Sequence, residues 1–583
     1  MVRKIIHFSI HNKLIVGLMV IGMAISGIYS FLKLPIDALP DVTSNQVQII
    51  TQSPALAASE VENFVTYPLE LSLRTIPNTQ EIRSMSRMGL SIITVVFDDD
   101  IPMQYARQQV DEKIKLAEST LLKGSGKPEM APITTGLGEF YQYTLEVDPK
   151  FKNNYSLTDL RTIQDWIIKR QLLGINGVVE VSSFGGFVKQ YEVAVNPEIL
   201  KSQNINISEV INALEKNNAN SGGSYIERSN NAYFIRTEGM VENMNDIEEI
   251  MIRPGSNSGI PLLIKDIGTV GIGHAVRYGA MVRNGEGETV GGVMLLLKNA
   301  NASEVVANVK NRIEQIQSNL PEGIKIVPYL DRSVLIGKSF STVQKNLIEG
   351  GLIVIFILIL ILGNFRAGLI VASTIPLALL FTFSMMKIFG VSANLMSLGA
   401  IDFGLIVDGS VIIVESIIHR FQILKNSESI NFEDELEASA FSVFKSAAMG
   451  VFIILIVYFP IMALGGIEGK MFRPMAETVS FAIFGSMILS LTYIPMISAL
   501  VLKKQNFNKR NIADKIMDKL YSSFSPVLDF SINRPVLVII LAVILFITSI
   551  WRFGNMGGEF IPELNEGDFA VETLLPTDAS LSQ

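Results

Sequence analysis

Seven apolar segments that predict membrane-spanning helices constrain the fold of this chain more than any other feature. A helix needs about 20 largely apolar residues to cross the hydrocarbon core of a bilayer. One such segment lies near the N-terminus and six lie in the second half of the chain: 14–32, 347–362, 368–389, 395–418, 444–464, 479–502 and 536–550. A mean hydropathy of +0.37 agrees with this pattern. The sequence therefore predicts a polytopic α-helical membrane protein.

Basic residues next to these segments predict the orientation. Arg3, Lys4 and Lys13 precede the first span, and seven lysines and arginines lie within 503–534. Because lysine and arginine accumulate in cytoplasmic loops, we place both regions and the N-terminus in the cytoplasm. The first span has full length and no small-residue cleavage site, so we predict a retained helix rather than a signal peptide. The amphipathic run 512–528 is expected to lie along the inner membrane surface.

About 300 residues between the first and second spans are expected on the far side of the membrane. Their hydrophobic periodicity alternates between that of strands and that of helices. Strands are predicted at 47–51, 92–97, 141–147, 178–182, 190–195, 232–237, 290–297 and 324–327, and helices at 57–74, 102–122, 158–173 and 303–316. We read two βαβ-type units, of which the later is split by an insertion at about 184–276. This region is therefore predicted to be α+β.

Three carboxylates lie in the apolar segment 395–418: Asp402, Asp408 and Glu415. A charged side chain at the centre of a membrane helix costs about 2.5–3.5 kcal/mol on insertion scales, and such residues mark ion or proton paths. In a continuous helix Asp408 and Glu415 are about 20° apart around the axis and roughly 10 Å apart along it. Asp402 is turned about 120° from Asp408. The first two can thus share one path.

The composition excludes several classes of function. The chain has no cysteine, and its four histidines are scattered, so thiolate metal sites, disulfides and histidine clusters are not expected. A net charge of −8 gives no support for nucleic-acid binding. No nucleophile with a base and no phosphate-binding glycine loop is evident, so we do not expect an enzyme. No resident cofactor is predicted.

An internal repeat is evident at a shift of 522 residues. Phe530-Ser531-Ile532 repeats Phe8-Ser9-Ile10, and Pro562 falls at the position of Pro40. Six spans separate the copies, so both enter the membrane with the same polarity, as in a parallel repeat. The chain is expected to be the first half, with the start of the second, of a two-repeat transporter.

Five motifs resemble those of the resistance-nodulation-division (RND) transporters of the heavy-metal efflux branch. They are Leu34-Pro-Ile-Asp-Ala-Leu-Pro-Asp-Val42, Ala106-Arg-Gln-Gln-Val110, Asp402-Phe-Gly-Leu-Ile-Val-Asp-Gly409, Gly466-Ile-Glu-Gly-Lys-Met-Phe-Arg-Pro-Met475 and Asn565-Glu-Gly-Asp568. The resemblance covers essentially the whole chain. It implies the RND fold, divided as follows: 1–33, N-terminal tail and first span; 34–134, first porter subdomain; 135–183 and 277–335, second porter subdomain; 184–276, docking subdomain; 336–503, second to sixth spans; 504–533, cytoplasmic amphipathic linker; 534–553, seventh span; 554–583, start of a second periplasmic region.

The resemblance also implies a function and partners. It predicts the pump subunit of a proton-driven exporter in the inner membrane of a Gram-negative bacterium. It predicts a homotrimer that joins a periplasmic adaptor and an outer-membrane channel. Asp408 is then the principal proton carrier, with Asp402 and Glu415 assisting. A lysine of the second repeat is the expected cationic partner.

The cation to be exported is the least constrained part of the prediction. Glu139, in Thr135-Gly-Leu-Gly-Glu139, occupies a position where exporters of divalent cations resemble one another, and Glu572 stands where exporters of Cu⁺ and Ag⁺ carry a methionine motif. Carboxylate ligands favour Zn²⁺, Co²⁺, Ni²⁺ or Cd²⁺, whereas thioethers favour Cu⁺ or Ag⁺. Export of Cu⁺ or Ag⁺, drug efflux and a non-transporting fragment stay open as alternatives, and both glutamates can equally be solvated strand residues.

Overall fold

The structure is a computed structural model of the chain. It describes residues 2–34, 36–37, 40–54, 56–122, 124–136, 138–254, 260–277, 279–298, 300–423, 432–502, 512–557, 569, 571–573 and 581. The chain forms two compact units. The first comprises Met1–Gly138, Leu296–Val306 and Asp331–Glu572, and the second comprises Glu139–Leu295, Ala307–Leu330 and Thr573–Gln583.

The first unit begins with two helices and a four-stranded sheet. Its elements in this part of the chain are α1 Val2–His11, α2 Lys13–Lys33, β1 Ile36–Asp37, β2 Gln46–Gln52, α3 Ala58–Val61, a π-helical turn Glu62–Thr66, α4 Tyr67–Leu73, β3 Thr79–Arg87, β4 Leu90–Phe97, α5 Met103–Glu118 and β5 Pro128–Met130. The sheet order is β3-β4-β2-β5, and every pairing is antiparallel. Both predicted strands and both predicted helices are confirmed, but β3 was not predicted. The βαβ-type prediction is wrong for the two predicted strands, because a βαβ unit would make them parallel. Strand β4 pairs antiparallel with β2, since β3 precedes it in the chain and forms a hairpin with it.

The second unit contains a second sheet and three strand pairs. Its elements are β6 Glu139–Val147, a 3₁₀ turn Pro149–Asn154, α6 Leu157–Ile163, a π-helical turn Gln164–Ile168, α7 Lys169–Leu172, β7 Val178–Gly185, β8 Lys189–Val195, α8 Pro197–Ser202, α9 Ile207–Lys216, β9 Ser221–Arg228, β10 Asn231–Thr237, α10 Met244–Glu248, β11 Met251–Arg253, β12 Leu262–Leu263, α11 Ile264–Ile267, β13 Gly268–His274, β14 Val290–Leu296, α12 Ala302–Gln317 and β15 Ile324–Asp331. Helix α12 crosses the unit boundary at Val306.

The sheet of the second unit has the order β15-β6-β14-β7. Strands β8 and β13 lie at the two ends of the predicted insertion 184–276. They pair with each other in antiparallel register, from Lys189↔His274 to Val195↔Gly268. The predicted insertion therefore has a closed two-stranded base. A small core that includes Val210, Ile247 and Ile264 lies within the insertion.

The remaining elements of the first unit are helices, together with one short strand. They are α13 Arg332–Leu362, α14 Phe365–Ala372, α15 Thr374–Phe389, β16 Ala393–Asn394, α16 Leu395–Gly399, α17 Phe403–Ile423, α18 Phe432–Met462, α19 Gly466–Leu491, α20 Tyr493–Val501, α21 Ile512–Asn533 and α22 Pro535–Gly554. Strand β16 pairs in parallel with β1. The largest hydrophobic core of this unit joins α1, α14, α15, α17, α18, α19 and α20.

Six helices of the described residues are long and apolar enough to cross a membrane. They are Lys13–Lys33, Arg332–Leu362, Phe365–Phe389, Phe432–Met462, Gly466–Leu491 and Pro535–Gly554. Each overlaps a predicted span, although the span predicted at 479–502 is divided between the end of α19 and α20, and α19 begins at Gly466. The remaining prediction, 395–418, is wrong as a continuous apolar helix, because α16 ends at Gly399 and α17 begins at Phe403. Helix α17 also carries three charged residues, Asp408, Glu415 and Arg420. It is therefore not among the six apolar helices.

The two copies of the internal repeat break their helices at equivalent positions. Asn12, between α1 and α2, has φ −107° and ψ 53°. Arg534, which lies 522 residues later between α21 and α22, has φ −130° and ψ 58°. Matching backbone angles at the predicted shift support the repeat. Pro562, which the repeat aligns with Pro40, lies outside the described residues, as do 503–511 and the motif Asn565-Glu-Gly-Asp568.

Candidate functional site

The carboxylate helix α17 starts immediately after Asp402. The backbone N–H of Gly404 donates to Oδ1 of Asp402 at 2.8 Å, so this carboxylate satisfies a donor that the helix start leaves free. The carbonyl oxygen of Asp402 accepts from the N–H of Ile406 at 3.4 Å, so Asp402 is the N-cap of α17 and not part of the continuous helix that was predicted. The structure thus gives Asp402 a capping contact, whereas Asp408 and Glu415 lie within the helix.

Asp408 and Glu415 lie together on the exposed face of α17. Both side chains are exposed, as is Gly404 one turn before Asp408, whereas Ile406, Val407, Ile413 and Val414 are buried. Seven residues of helix return to nearly the same face after roughly 10 Å of rise. The structure therefore places these two carboxylates as the sequence analysis predicts.

Hydroxyl groups on the opposite face of α17 fix its rotation. Ser410 lies two residues, about 200°, from Asp408. Its hydroxyl contacts Thr374 Oγ1 of α15 at 3.2 Å and Ser490 Oγ of α19 at 2.9 Å. All three side chains are buried, so the hydrogen bonds satisfy groups that water cannot reach. With Ser410 held inside, Asp408 must point outward.

Neither Asp408 nor Glu415 forms an ion pair with any residue that the structure describes. Arg420 is the arginine of α17, and its Nε donates to Glu435 Oε2 at 2.8 Å. The two carboxylates thus form an acidic stripe on a helix whose other faces are packed.

The two predicted metal ligands lie in different units. Glu139 is the exposed first residue of β6, and Gln142 Nε2 donates to its Oε2 at 2.5 Å. Burial, with a smaller contribution from the charge of Glu139, raises the pKa of Tyr329. Glu572 is exposed and lies outside any helix or strand. Within the described ranges no group of three or more histidine or acidic residues is arranged to hold a metal ion.

A contact between α19 and the first sheet was not predicted from the sequence. Near the start of α19, Lys470 Nζ donates to Asp99 Oδ1 at 2.5 Å and to the carbonyl oxygen of Thr43 at 3.0 Å. Asp99 follows β4, and Thr43 precedes β2. Lys470 belongs to the motif that begins at Gly466, which was noted only for its resemblance. Twenty residues later the same helix carries Ser490, so α19 joins the sheet to α17 over about 30 Å.

A second missed cluster lies at the N-terminus. The side chain of Glu437, on α18, is 9% exposed, and it accepts hydrogen bonds from Arg3 Nε at 3.0 Å and from His7 Nδ1 at 2.7 Å. Lys13 Nζ donates to Glu433 Oε1 at 2.7 Å. These bonds hold α1 against α18. The amphipathic spacing of buried Ile6, Ser9 and Ile10 in α1 was the signal that could have predicted this packing.

Comparison with known proteins identifies the family. Residues 5–583 match the AcrB/AcrD/AcrF family. The chain is 43% identical over 595 residues to the cation efflux system protein CzcA of Alcaligenes sp. (strain CT14), covering 100% of this chain and 55% of the relative. It is 42% identical to the cobalt-zinc-cadmium resistance protein CzcA of Cupriavidus metallidurans, with the same coverage.

A solved structure supports the same family assignment. The crystal structure of a heavy metal efflux pump, crystal form II, superposes with a TM-score of 0.75 at 37% identity, covering 85% of this chain and 48% of that one. The chain spans about half the length of the curated relatives it matches. The predicted polytopic membrane fold with an α+β region is confirmed. The chain belongs to the AcrB/AcrD/AcrF family and has the RND transporter fold, and the relatives named above are heavy-metal efflux proteins.

Proposed function

We propose that this chain forms part of a proton-driven exporter of heavy-metal cations, in which Asp408 carries the proton. The observation that supports the proposal is the acidic stripe on α17, formed by Asp408 and Glu415. In a bundle that crosses a bilayer, lipid contact with this stripe would cost several kcal/mol. The stripe must therefore face protein or water in the working transporter.

The proposed chemistry is the capture and release of a proton. A carboxylate removed from water favours its protonated form, and a cation brought close favours the ionised form. A cationic side chain that approaches and leaves Asp408 would alternate the two states. Glu415, which lies seven residues further along the same face of α17, would pass protons to Asp408 or accept them from it. Asp402 has a smaller role in this proposal than in the sequence analysis, because it already caps α17.

Helix α19 offers a mechanical route from the stripe to the region outside the membrane. Ser490 contacts Ser410 on α17, and Lys470 contacts Asp99 after β4. A helix is stiff over about 30 Å, so a shift of α17 would move the contact at Lys470. We propose that this movement helps to drive the porter subdomains predicted at 34–134, 135–183 and 277–335.

We propose a divalent cation as the substrate, with Zn²⁺, Co²⁺ or Cd²⁺ preferred and Ni²⁺ included. The name of the Cupriavidus relative, a cobalt-zinc-cadmium resistance protein at 42% identity, supports this choice. The exposed carboxylate of Glu139 suits such ions better than Cu⁺ or Ag⁺. Further ligands would have to come from main-chain oxygen, water or a segment outside the described residues. The trimer, the adaptor, the outer-membrane channel and the inner-membrane location are part of the same proposal.

Two experiments test this function. In cells that depend on a transporter containing this chain, Asp408→Asn should abolish zinc resistance at unchanged protein level, and retained resistance would refute the role of Asp408. In the purified chain, Glu139→Ala should weaken Zn²⁺ binding but leave Ag⁺ binding unchanged. Glu227→Ala, which removes another exposed strand carboxylate, is the matched control. Equal Zn²⁺ affinity in all three proteins would remove Glu139 from the substrate path.

A further inference from the structure

An apolar groove of about 530 Å³ opens among the helices of the first unit. One wall is α2, through Val16, Met19 and Met23, and the other is the end of α19, through Ile488 and Leu489. Phe381 of α15 forms part of the floor, and α1 lies at one end. The lining is almost entirely hydrocarbon. The groove is thus a feature of the membrane helices and is separate from the acidic stripe.

Two glycines allow both helices that wall the groove to approach α15 closely. A Cβ atom at Gly27 of α2 would lie 2.5 Å from the backbone oxygen of Leu380, and one at Gly485 of α19 would lie 2.4 Å from the ring of Phe381. Both helices therefore pack closely onto α15. Side chains larger than glycine at these two positions would separate the helices from α15.

The groove has the depth of one leaflet. Helix α2 is a candidate membrane span that begins at Lys13, and the lining reaches Met23, ten residues or about 15 Å along the axis. The hydrocarbon core of a bilayer is about 30 Å thick. The groove therefore runs from the membrane surface to about the midplane, as one lipid acyl chain does.

A single charged residue marks the surface end of the groove. Among the described residues that line the groove, Lys4 is the only ionisable one, and it is exposed. Its neighbours Arg3 and Lys13 are bound to Glu437 and Glu433, whereas Lys4 forms no ion pair within the described part of the chain. An ammonium group at the membrane surface attracts the phosphate of an anionic lipid.

We propose that this groove binds one anionic phospholipid of the bilayer, with an acyl chain between α2 and α19 and the headgroup phosphate at Lys4. Burial of the acyl chain does not distinguish one lipid from another, because the surrounding bilayer is equally apolar. Selectivity therefore comes from the charge at Lys4. A basic residue near an anionic surface contributes about fivefold in affinity, which sets the expected preference.

Native mass spectrometry of the purified chain tests the proposal. The chain in detergent is given equal amounts of dioleoylphosphatidylglycerol and dioleoylphosphatidylcholine. We expect one tightly bound lipid, with phosphatidylglycerol preferred about fivefold. Lys4→Gln should abolish the preference but retain binding. Met19→Trp, at a side chain that is 67% exposed, should fill the groove and reduce binding of both lipids without disturbing the core.

The control is Arg552→Gln, which removes an exposed basic residue at the end of α22, away from the groove. This variant should behave as the wild type does. Equal binding of the two lipids by the wild type, or a preference that survives Lys4→Gln, would overturn the proposal. A groove occupied by a second copy of the chain would appear as dimers without bound lipid, and that result would also overturn it.

Discussion

The contact of Lys470 with Asp99 and Thr43 should hold the start of α19 to the first sheet. Lys470→Met keeps the aliphatic stem and removes the ammonium group, so both hydrogen bonds are lost. Asp99→Asn removes the ionic partner but leaves the carbonyl of Thr43 in place. The variant at Lys470 should therefore have the larger effect.

The structure sets the size of this effect. The side chains of Lys470 and Asp99 are 26% and 42% exposed, so water screens the ion pair, and such pairs contribute about 0.2–1 kcal/mol. The bond to the carbonyl adds about 1 kcal/mol. Lys470→Met should thus lower the free energy of local opening by about 1–2 kcal/mol, which corresponds to roughly 5–30-fold more frequent opening. Asp99→Asn should cost about 1 kcal/mol or less.

Amide hydrogen exchange followed by mass spectrometry measures this opening. Peptides that cover 97–101 and 466–471 should exchange faster in Lys470→Met, whereas peptides from the second unit should not change. Lys345→Met is the control, because Lys345 forms an exposed ion pair with Glu349 at 3.8 Å within α13. Unchanged protection of both peptides in Lys470→Met would refute the argument that this contact couples α19 to the sheet.

Two further contacts give predictions of the same kind. Glu437→Gln should weaken the hydrogen bonds that hold α1 against α18 and speed amide exchange of residues 2–11 by about one order of magnitude. Glu349→Gln is the control and should leave this exchange unchanged. Equal exchange in the two variants would contradict the role of Glu437 in holding α1. In the second unit, hydrogen bonds from Arg277 lower the pKa of Glu288 below its ordinary 4.5. This pair therefore stabilises the fold above pH 4.5, and its contribution is lost as the pH falls through the lowered pKa. Glu288→Gln should reduce resistance to urea at pH 7 but not below that range, and a pH-independent difference would be inconsistent with the pair.

Properties that depend on one helix or strand at a time were predictable from the sequence. The six apolar helices overlap the predicted spans because hydropathy is a local property, whereas the bounds of α19 were not predicted. The shared face of Asp408 and Glu415 was predictable because helix geometry fixes it once the helix exists. The position of Asp402 was not, since nothing in the apolar pattern indicates that the chain leaves the helix at residues 400–402.

Contacts between distant segments were not predictable. Lys470 and Asp99 are 371 residues apart, and Arg3 and Glu437 are 434 apart. No periodicity within either segment specifies such pairings, which arise only when the helices pack. Strand β3 was missed for a related reason. Its sequence from Thr79 to Arg87 is polar and largely exposed, so its pairing with β4 rather than its own hydrophobic pattern makes it a strand.

The central claim is that Asp408 on the exposed face of α17 couples proton movement to metal export. Proton flux in proteoliposomes that contain a transporter with this chain tests it most directly. A Zn²⁺ gradient should drive counterflow of protons in the wild type, reduced counterflow in Glu415→Gln and none in Asp408→Asn. Wild-type proton flux per zinc ion in Asp408→Asn would contradict the account.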